Sequence, residues 1–221
     1  MLILAIDTAH KNGSITFARA TAPSSFDVIA TASIEGGAFS AQLVPRIAQL
    51  LRENNLDKTS IDAYAACIGP GSFTGLRIGL SGIKGLCEVL PRPIAAISSL
   101  ESLAASAKVD GPVLALLDAG RGEFYAGEYR RDGERLTCVR EALLTAAELQ
   151  TALRPGLLAV ASQPNVAEAA RAAGAQVEVV PETTSADIAL RGARKLLAGD
   201  TVTPDALDAN YLRRDDALFA K

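Results

Sequence analysis

A single histidine, one methionine, three cysteines and no tryptophan stand among 221 residues. One histidine, His10, excludes a metal centre built from several imidazoles of one chain and leaves a Ser-His-Asp triad a single candidate base. Cys67, Cys87 and Cys138 lie far apart with no C-x-x-C pair, which excludes a zinc knuckle and a redox dithiol; each sits among apolar neighbours as a small core residue. Basic residues are not in excess: 22 Lys and Arg face 25 Asp and Glu, a net charge of −3. That balance argues against unaided binding of tRNA or DNA, whose phosphates select basic surface, while leaving room for a local patch. No uncharged apolar run is long enough to span a bilayer, and Leu2–Ile6 is cut off by Asp7 too early for a secretory leader, so the cytoplasm is the expected compartment.

What is present is an ordinary globular composition, 49% hydrophobic and 21% charged, in a length that suits one large domain or two small lobes. Leu2–Ile6 is a continuous apolar run ending at Asp7-Thr8, Gly13–Arg19 reads as a strand after a tight turn, and Val28–Ile34 alternates as a third. From Ser40 the period lengthens: Leu43, Ile47, Leu50 and Leu51 form one helical stripe, interrupted early by Pro45. Tyr64–Ile68 is a buried strand, a helix runs on to about Val89, Ile94–Ile97 is another strand, and Ser98-Ser99-Leu100-Glu101 has the form of a capping box opening a helix through Ala107. Asp110-Gly111-Pro112 marks a hinge. The rhythm then restarts: Val113–Leu117 ends at Asp118 as Leu2–Ile6 ends at Asp7, and Glu123–Tyr129 alternates, which suggests an internal duplication. Leu157–Ala161, Val166–Ala173, Gln176–Val180 and Ala186–Leu197 alternate strand and helix. Two α/β lobes of similar design are expected.

Three segments carry chemistry. A strand that ends in Asp-Thr and turns into a second strand is how actin-like and sugar-kinase-like ATPases hold a phosphate and its metal, so Asp7 and Thr8, with Asp118 and Gly120 in the second half, are vestigial phosphate-binding candidates. Thr8 stands where such enzymes usually have glycine, and hydrogen bonding at a strand end explains the pair equally well. The block Gly69-Pro70-Gly71-Ser72-Phe73-Thr74-Gly75-Leu76-Arg77-Ile78-Gly79 is neither a nucleophile elbow nor a Walker A loop; it is a glycine-rich loop feeding a helix whose first N–H groups bind an anion or are capped by Ser72 or Thr74. That helix carries Gly75, Gly79, Gly82 and Gly85, each costing about 1 kcal/mol relative to alanine. Gly75, Gly79 and Gly82 fall within roughly 60° of one another around the axis. Such a bare strip either packs on the protein's own sheet or receives a partner's backbone; in the second case it would form, beside the Leu43 and Ile47 helix, a helix-on-helix docking surface.

Ile6-Asp7-Thr8, the Gly69–Gly79 block, Ile97-Ser98-Ser99-Leu100, Asp118-Ala119-Gly120-Arg121-Gly122-Glu123-Phe124-Tyr125 and Tyr211-Leu212-Arg213, in that order, resemble the bacterial TsaB (YeaZ) family. The resemblance implies a two-lobed actin-like, acetate and sugar kinase and Hsp70 (ASKHA) α/β fold with ribonuclease H-like lobes and a degenerate nucleotide site. The lobes would be residues 1–107, with 205–221 a candidate to rejoin them, and 108–204. It further implies a non-catalytic subunit that binds the catalytic subunit TsaD and the ATPase TsaE. That complex transfers a threonylcarbamoyl group to N6 of adenosine 37 of tRNA. The chain would be a homodimer when alone, would meet tRNA only through the complex and no membrane, and would hold no metal and no cofactor, a nucleotide entering only at a subunit boundary. The family's interfaces map onto Ser40–Glu53 and Thr74–Val89. Ser72, Thr74, Gly75, Arg77, Gly79, Gly82, Leu43 and Ile47 are therefore the expected partner interface, and Gly79→Leu is expected to block pairing and spare the fold. The chain departs from many relatives at Phe39, where they carry histidine, and it lacks the H-x-x-x-H metal motif of the catalytic paralogue. The enzyme-class alternative is a small ATPase or phosphotransferase using Asp7 and Asp118 around a metal-nucleotide complex.

Overall fold

The computed structural model describes residues 1–22 and 25–213. In chain order the first half contains β1 (Leu2–Asp7), β2 (Gly13–Ala22), β3 (Ser25–Ile34), α1 (Phe39–Glu53), β4 (Ala63–Gly69), α2 (Phe73–Val89), β5 (Ile94–Ser98) and α3 (Ser99–Ala105). The second contains β6 (Gly111–Gly120), β7 (Glu123–Asp132), β8 (Arg135–Thr145), α4 (Ala146–Ala152), β9 (Leu158–Ala161), α5 (Pro164–Ala172), β10 (Gln176–Val179) and α6 (Ser185–Leu197). Contacts divide them into two units, Met1–Ser99 with Thr183–Asn210, and Leu100–Glu182 with the described residues from Tyr211.

In the first unit the sheet runs β3-β2-β1-β4-β5, with β1 antiparallel to β2 and parallel to β4. A central strand covered on both faces must be apolar at every position, which is why Leu2–Ile6 shows no alternation. Its side chains nonetheless part by period two. Leu2, Leu4 and Ile6 join Leu43, Ile47 and Leu50 of α1 and Leu80, Ile83 and Cys87 of α2. Ile3 and Ala5 join Ile188, Ala189 and Ala193 of α6 on the other face.

The second unit repeats the plan. Its sheet runs β10-β9-β6-β7-β8, the same order with the corresponding strands, so the duplication read from the Asp7 and Asp118 strand ends is a duplication of topology. Leu114 and Leu116 of β6 face Leu149 of α4 and Val166, Ala167 and Ala170 of α5. Val113, Ala115 and Leu117 face Leu103 and Ala104 of α3.

The lobe boundaries differ from those expected. Residues 183–204 pack in the first unit rather than the second, because α6 lies on its sheet; Gly192 admits the close approach, since a Cβ there would stand 2.5 Å from that of Ala65. Residues 100–107 belong to the second unit through α3. The helix each unit needs follows the other unit's last strand, an exchange that local periodicity does not encode. The Asp110-Gly111-Pro112 hinge is instead the start of β6, with Gly111 paired to Arg131. Of the segment 205–221, Leu207 is core in the first unit and the Asn210 N–H donates to the Ile68 carbonyl at 2.7 Å; Tyr211–Arg213 go with the second, and 214–221 lie outside the described residues.

Candidate functional site

The turn after β1 is built into the protein's own helix. Thr8, 1% exposed, donates its hydroxyl to the Gly75 carbonyl at 2.7 Å. A Cβ on Gly75 would stand 2.0 Å from the Thr8 carbonyl oxygen, one on Gly79 2.3 Å from Thr8 Oγ1, and one on Gly71 2.4 Å from the Ala9 carbonyl oxygen. A Cβ on Gly82 would stand 2.7 Å from Leu43 Cδ2 of α1, and only on Gly85 of the four would it meet open space. The strip is therefore bare so that the Asp7-Thr8-Ala9 turn and α1 can seat on α2. This overturns two expectations: Gly75 and Gly79 are internal packing positions in this chain, and Gly79→Leu would strike the fold itself; Gly82, half-buried, seats Leu43 and also lines the outer groove of the helix pair. Leu43 and Ile47, 2% and 5% exposed, are core as well.

Asp7 is equally committed. Its carboxylate is buried and accepts the Ala9 N–H at 2.9 Å, with His10 Nε2 3.8 Å away on the other oxygen and Thr183 Oγ1 3.4 Å beyond on the same ring nitrogen. One nitrogen serves both contacts, so the three residues do not form a nucleophilic relay, which needs both ring nitrogens. Cys67 lies against this cluster, 3.1 Å from Ser99 Oγ; burial, and then the Asp7 charge, push its thiol well above the ordinary range. Such a thiol is an inert core group.

The rest of the helix pair is open. Ser72 caps α2 by accepting the Gly75 N–H at 3.2 Å. Ser72, Phe73, Thr74 and Arg77 are exposed; Phe73 is 51% exposed and Val44 on α1 60%, and the Arg77 guanidinium lies 3.8 Å over the Phe73 ring. Ser40, Val44, Phe73, Arg77, Ile78 and Ser81 line a groove of about 570 Å³ along α1 and α2.

The corresponding turn of the second unit has the opposite character. Asp118 is exposed; its carboxylate accepts Gly120 N–H at 2.7 Å and Asn165 Nδ2 at 3.0 Å, while its own N–H donates to Gln163 at 2.9 Å. Gly120, Arg121 and Gly122 follow one another in the left-handed region, φ +73°, +59° and +76°. Arg213 closes it from the C-terminal end, donating to the Ala119 carbonyl at 2.8 Å and standing 2.6 Å from Glu123 Oε2. Two sequence motifs about 90 residues apart thus meet here, a pairing no local signal announces. Among the described residues no group of three or more His, Cys, Asp or Glu is placed to hold a metal ion, and no helix is long and apolar enough to cross a membrane.

The family model for TsaD, described as tRNA N6-adenosine threonylcarbamoyltransferase, matches residues 33–205. The chain belongs to this family. Within it, the chain is similar to the tRNA threonylcarbamoyladenosine biosynthesis protein TsaB of Bacillus subtilis, 38% identical over 92 residues that cover 41% of this chain and 40% of that protein. It is similar also to the TsaB of Escherichia coli, 35% identical over 136 residues that cover 60% and 56%. The chain thus spans about half the length of the curated relatives it matches. In structure it superposes on YeaZ from Pseudomonas aeruginosa with a TM-score of 0.75 at 23% identity, over 95% of this chain and 100% of that one. The superposition shows the fold that the chain shares with YeaZ, two α/β units of one strand order. Where the resemblance led to an expectation of histidine in the TsaB group, Phe39 is 6% exposed; its ring stands 2.9 Å from a Cβ on Gly13 and 3.2 Å from one on Gly75, so it fills space that the two glycines leave.

Proposed function

We propose that the chain is a non-catalytic subunit of the machinery that makes N6-threonylcarbamoyladenosine in tRNA, pairing with the catalytic subunit TsaD through the outer face of α1 and α2 and supporting the ATPase TsaE. On this reading it associates with itself when alone and takes no nucleotide of its own. The observation that carries the proposal is the groove between α1 and α2. An isolated chain has no reason to keep Phe73 and Val44 half in water side by side, and a rimmed apolar patch of this kind is typical of a docking face. Ser72, Thr74 and Arg77 supply its polar rim, which lets the face stay soluble before it is covered. The commitment of Thr8 and the Asp7 carboxylate to internal hydrogen bonds further supports a subunit that does not hold a phosphate at this turn.

Size-exclusion chromatography with light scattering on the co-expressed pair tests the assignment. Val44→Asp with Phe73→Asp should weaken pairing at least tenfold, since both are exposed apolar side chains lining the groove, and leave the melting temperature of the free chain near wild type. Wild-type pairing by the double variant would misplace the interface, and no pairing by the wild-type chain would remove the function. Calorimetry with ATP and magnesium addresses the small ATPase or phosphotransferase: micromolar binding with turnover by the isolated chain would put that reading in its place.

A further inference from the structure

β7 and β8 pair as Phe124↔Leu144, Ala126↔Ala142, Glu128↔Arg140, Arg130↔Thr137 and Asp132↔Arg135. Side chains alternate along a strand, so these pairs share one face of the sheet, the slip between Glu128 and Tyr129 restoring the phase. At one end the face is apolar, with Phe124, Ala126 and Leu144 in the core beside Leu149 of α4. Past Ala126 it becomes a row of arginines. Arg130, Arg135 and Arg140 are exposed on successive rungs, and Arg154, from the segment between α4 and β9, reaches in to pair with Glu128 through both terminal nitrogens.

Glu128 organises the row. Its side chain is 10% exposed, while those of Arg140, 3.7 Å away, and Arg154 are 54% and 50% exposed. A sunken carboxylate thus holds two guanidiniums whose outer edges remain in water. The face carries four arginines against two carboxylates, Glu128 and Asp132, in a chain whose net charge is −3. All four cations are arginine, whose planar fork matches a phosphate in a way lysine does not. Same-face neighbours along a strand are about 7 Å apart, close to the spacing of successive phosphates on a ribose chain.

We infer that this arginine row is a docking surface for the phosphate backbone of RNA. That the RNA is the tRNA being modified rests on the function proposed above; the charge argument does not. The surface adds contacts to those of a complex instead of binding alone at physiological salt, in keeping with the acidic balance of the whole chain.

Fluorescence anisotropy with labelled unmodified tRNA, on the full chain at 20–50 mM salt and on its complex with the catalytic subunit up to about 200 mM, tests this. The variant Arg130→Ala with Arg135→Ala and Arg140→Ala leaves the Glu128–Arg154 pair in place. It should bind about tenfold more weakly at low salt, with the slope of log affinity against log salt reduced by about 2, the counterion release of three lost charges. The triple lysine variant should recover the slope but not all of the affinity, and Lys58→Ala, in the first unit, should change neither. Should the triple alanine variant unfold, Arg140→Glu alone is to show the same sign with a smaller size. Unchanged affinity and slope would overturn the proposal, as would loss of a protein subunit with tRNA affinity intact, which would make the row a protein contact. If the wild-type chain fails to pair with the catalytic subunit yet the slope difference persists in the chain alone, the proposed function falls and the RNA surface stands.

Discussion

The two units share one strand order and diverge at the same place in it. After β1 the Asp-Thr turn is buried, its hydroxyl donated to α2 and its carboxylate closed on Ala9. After β6 the Asp-Ala-Gly turn is exposed, shaped by three left-handed residues and held from outside by Gln163, Asn165 and Arg213. A duplicated scaffold can therefore spend one turn on packing and leave its twin at the surface. What decides is the helix that meets the turn: α2 runs Phe73–Val89 and presents glycines, whereas α5 runs only Pro164–Ala172 and presents the polar side chains of its N-cap Gln163 and first-turn Asn165.

The sharpest way to break the comparison is to add a methyl group on each side. Gly75→Ala puts a Cβ 2.0 Å from a backbone oxygen that cannot swing away. It should cost about 3 kcal/mol or more, lowering the urea midpoint steeply. Gly120→Ala meets open space and pays only for its positive φ, about 1–2 kcal/mol. Equal losses would mean that the first turn is no more tightly packed than the second.

A smaller perturbation removes single hydrogen bonds. Thr8→Val keeps the shape against Gly79 and deletes the donor to Gly75, an expected loss of about 1 kcal/mol. Arg213→Ala removes the partner of Ala119 and Glu123 in the second unit; amide exchange should quicken several-fold over 118–123 and stay unchanged over 7–13. If the first-unit turn also loosens, the two turns are coupled and the contrast is one of degree.

Much of this was readable from residue types alone. The gapless run Leu2–Ile6, the Leu43, Ile47 and Leu50 stripe and the restart at Val113 follow from burial on two faces, burial on one helical face and duplication. β8 and α4 escaped because β8 lies at a sheet edge, where Thr137, Cys138, Val139 and Arg140 are all exposed and no alternation survives the slip beside Tyr129; Cys138 is therefore not the core residue expected, unlike the buried Cys67 and Cys87. The glycines of α2 announced a close approach, but not by what. Thr8 lies 67 positions from Gly75, and Arg213 94 from Ala119, and sequence spacing has no access to contacts of that range. Glu128 gave no signal at all, since an acidic residue in a strand reads as surface until Arg154 is seen to cover it.

The mildest test separates the units by pH. Arg154's hydrogen bond, aided by the charges of Arg154 and Arg140, holds Glu128 below the ordinary 4.5 of a glutamate, so its contribution is complete above that value and disappears as pH falls through the folded one. Cys67 is displaced the other way: burial, and then Asp7, raise it well above 9.0, so the folded state resists forming a thiolate that the unfolded chain forms freely. That contribution is complete below 9.0 and declines as pH rises past it. Acid should therefore loosen the second unit first and alkali the first. Brief deuterium labelling at a common pH after incubation at pH 3.5 or 10 reads each unit separately. Glu128→Gln should flatten the acid response without touching the alkaline one, and Cys67→Ala the reverse; a variant that flattens both would show that titration in one unit reaches the other.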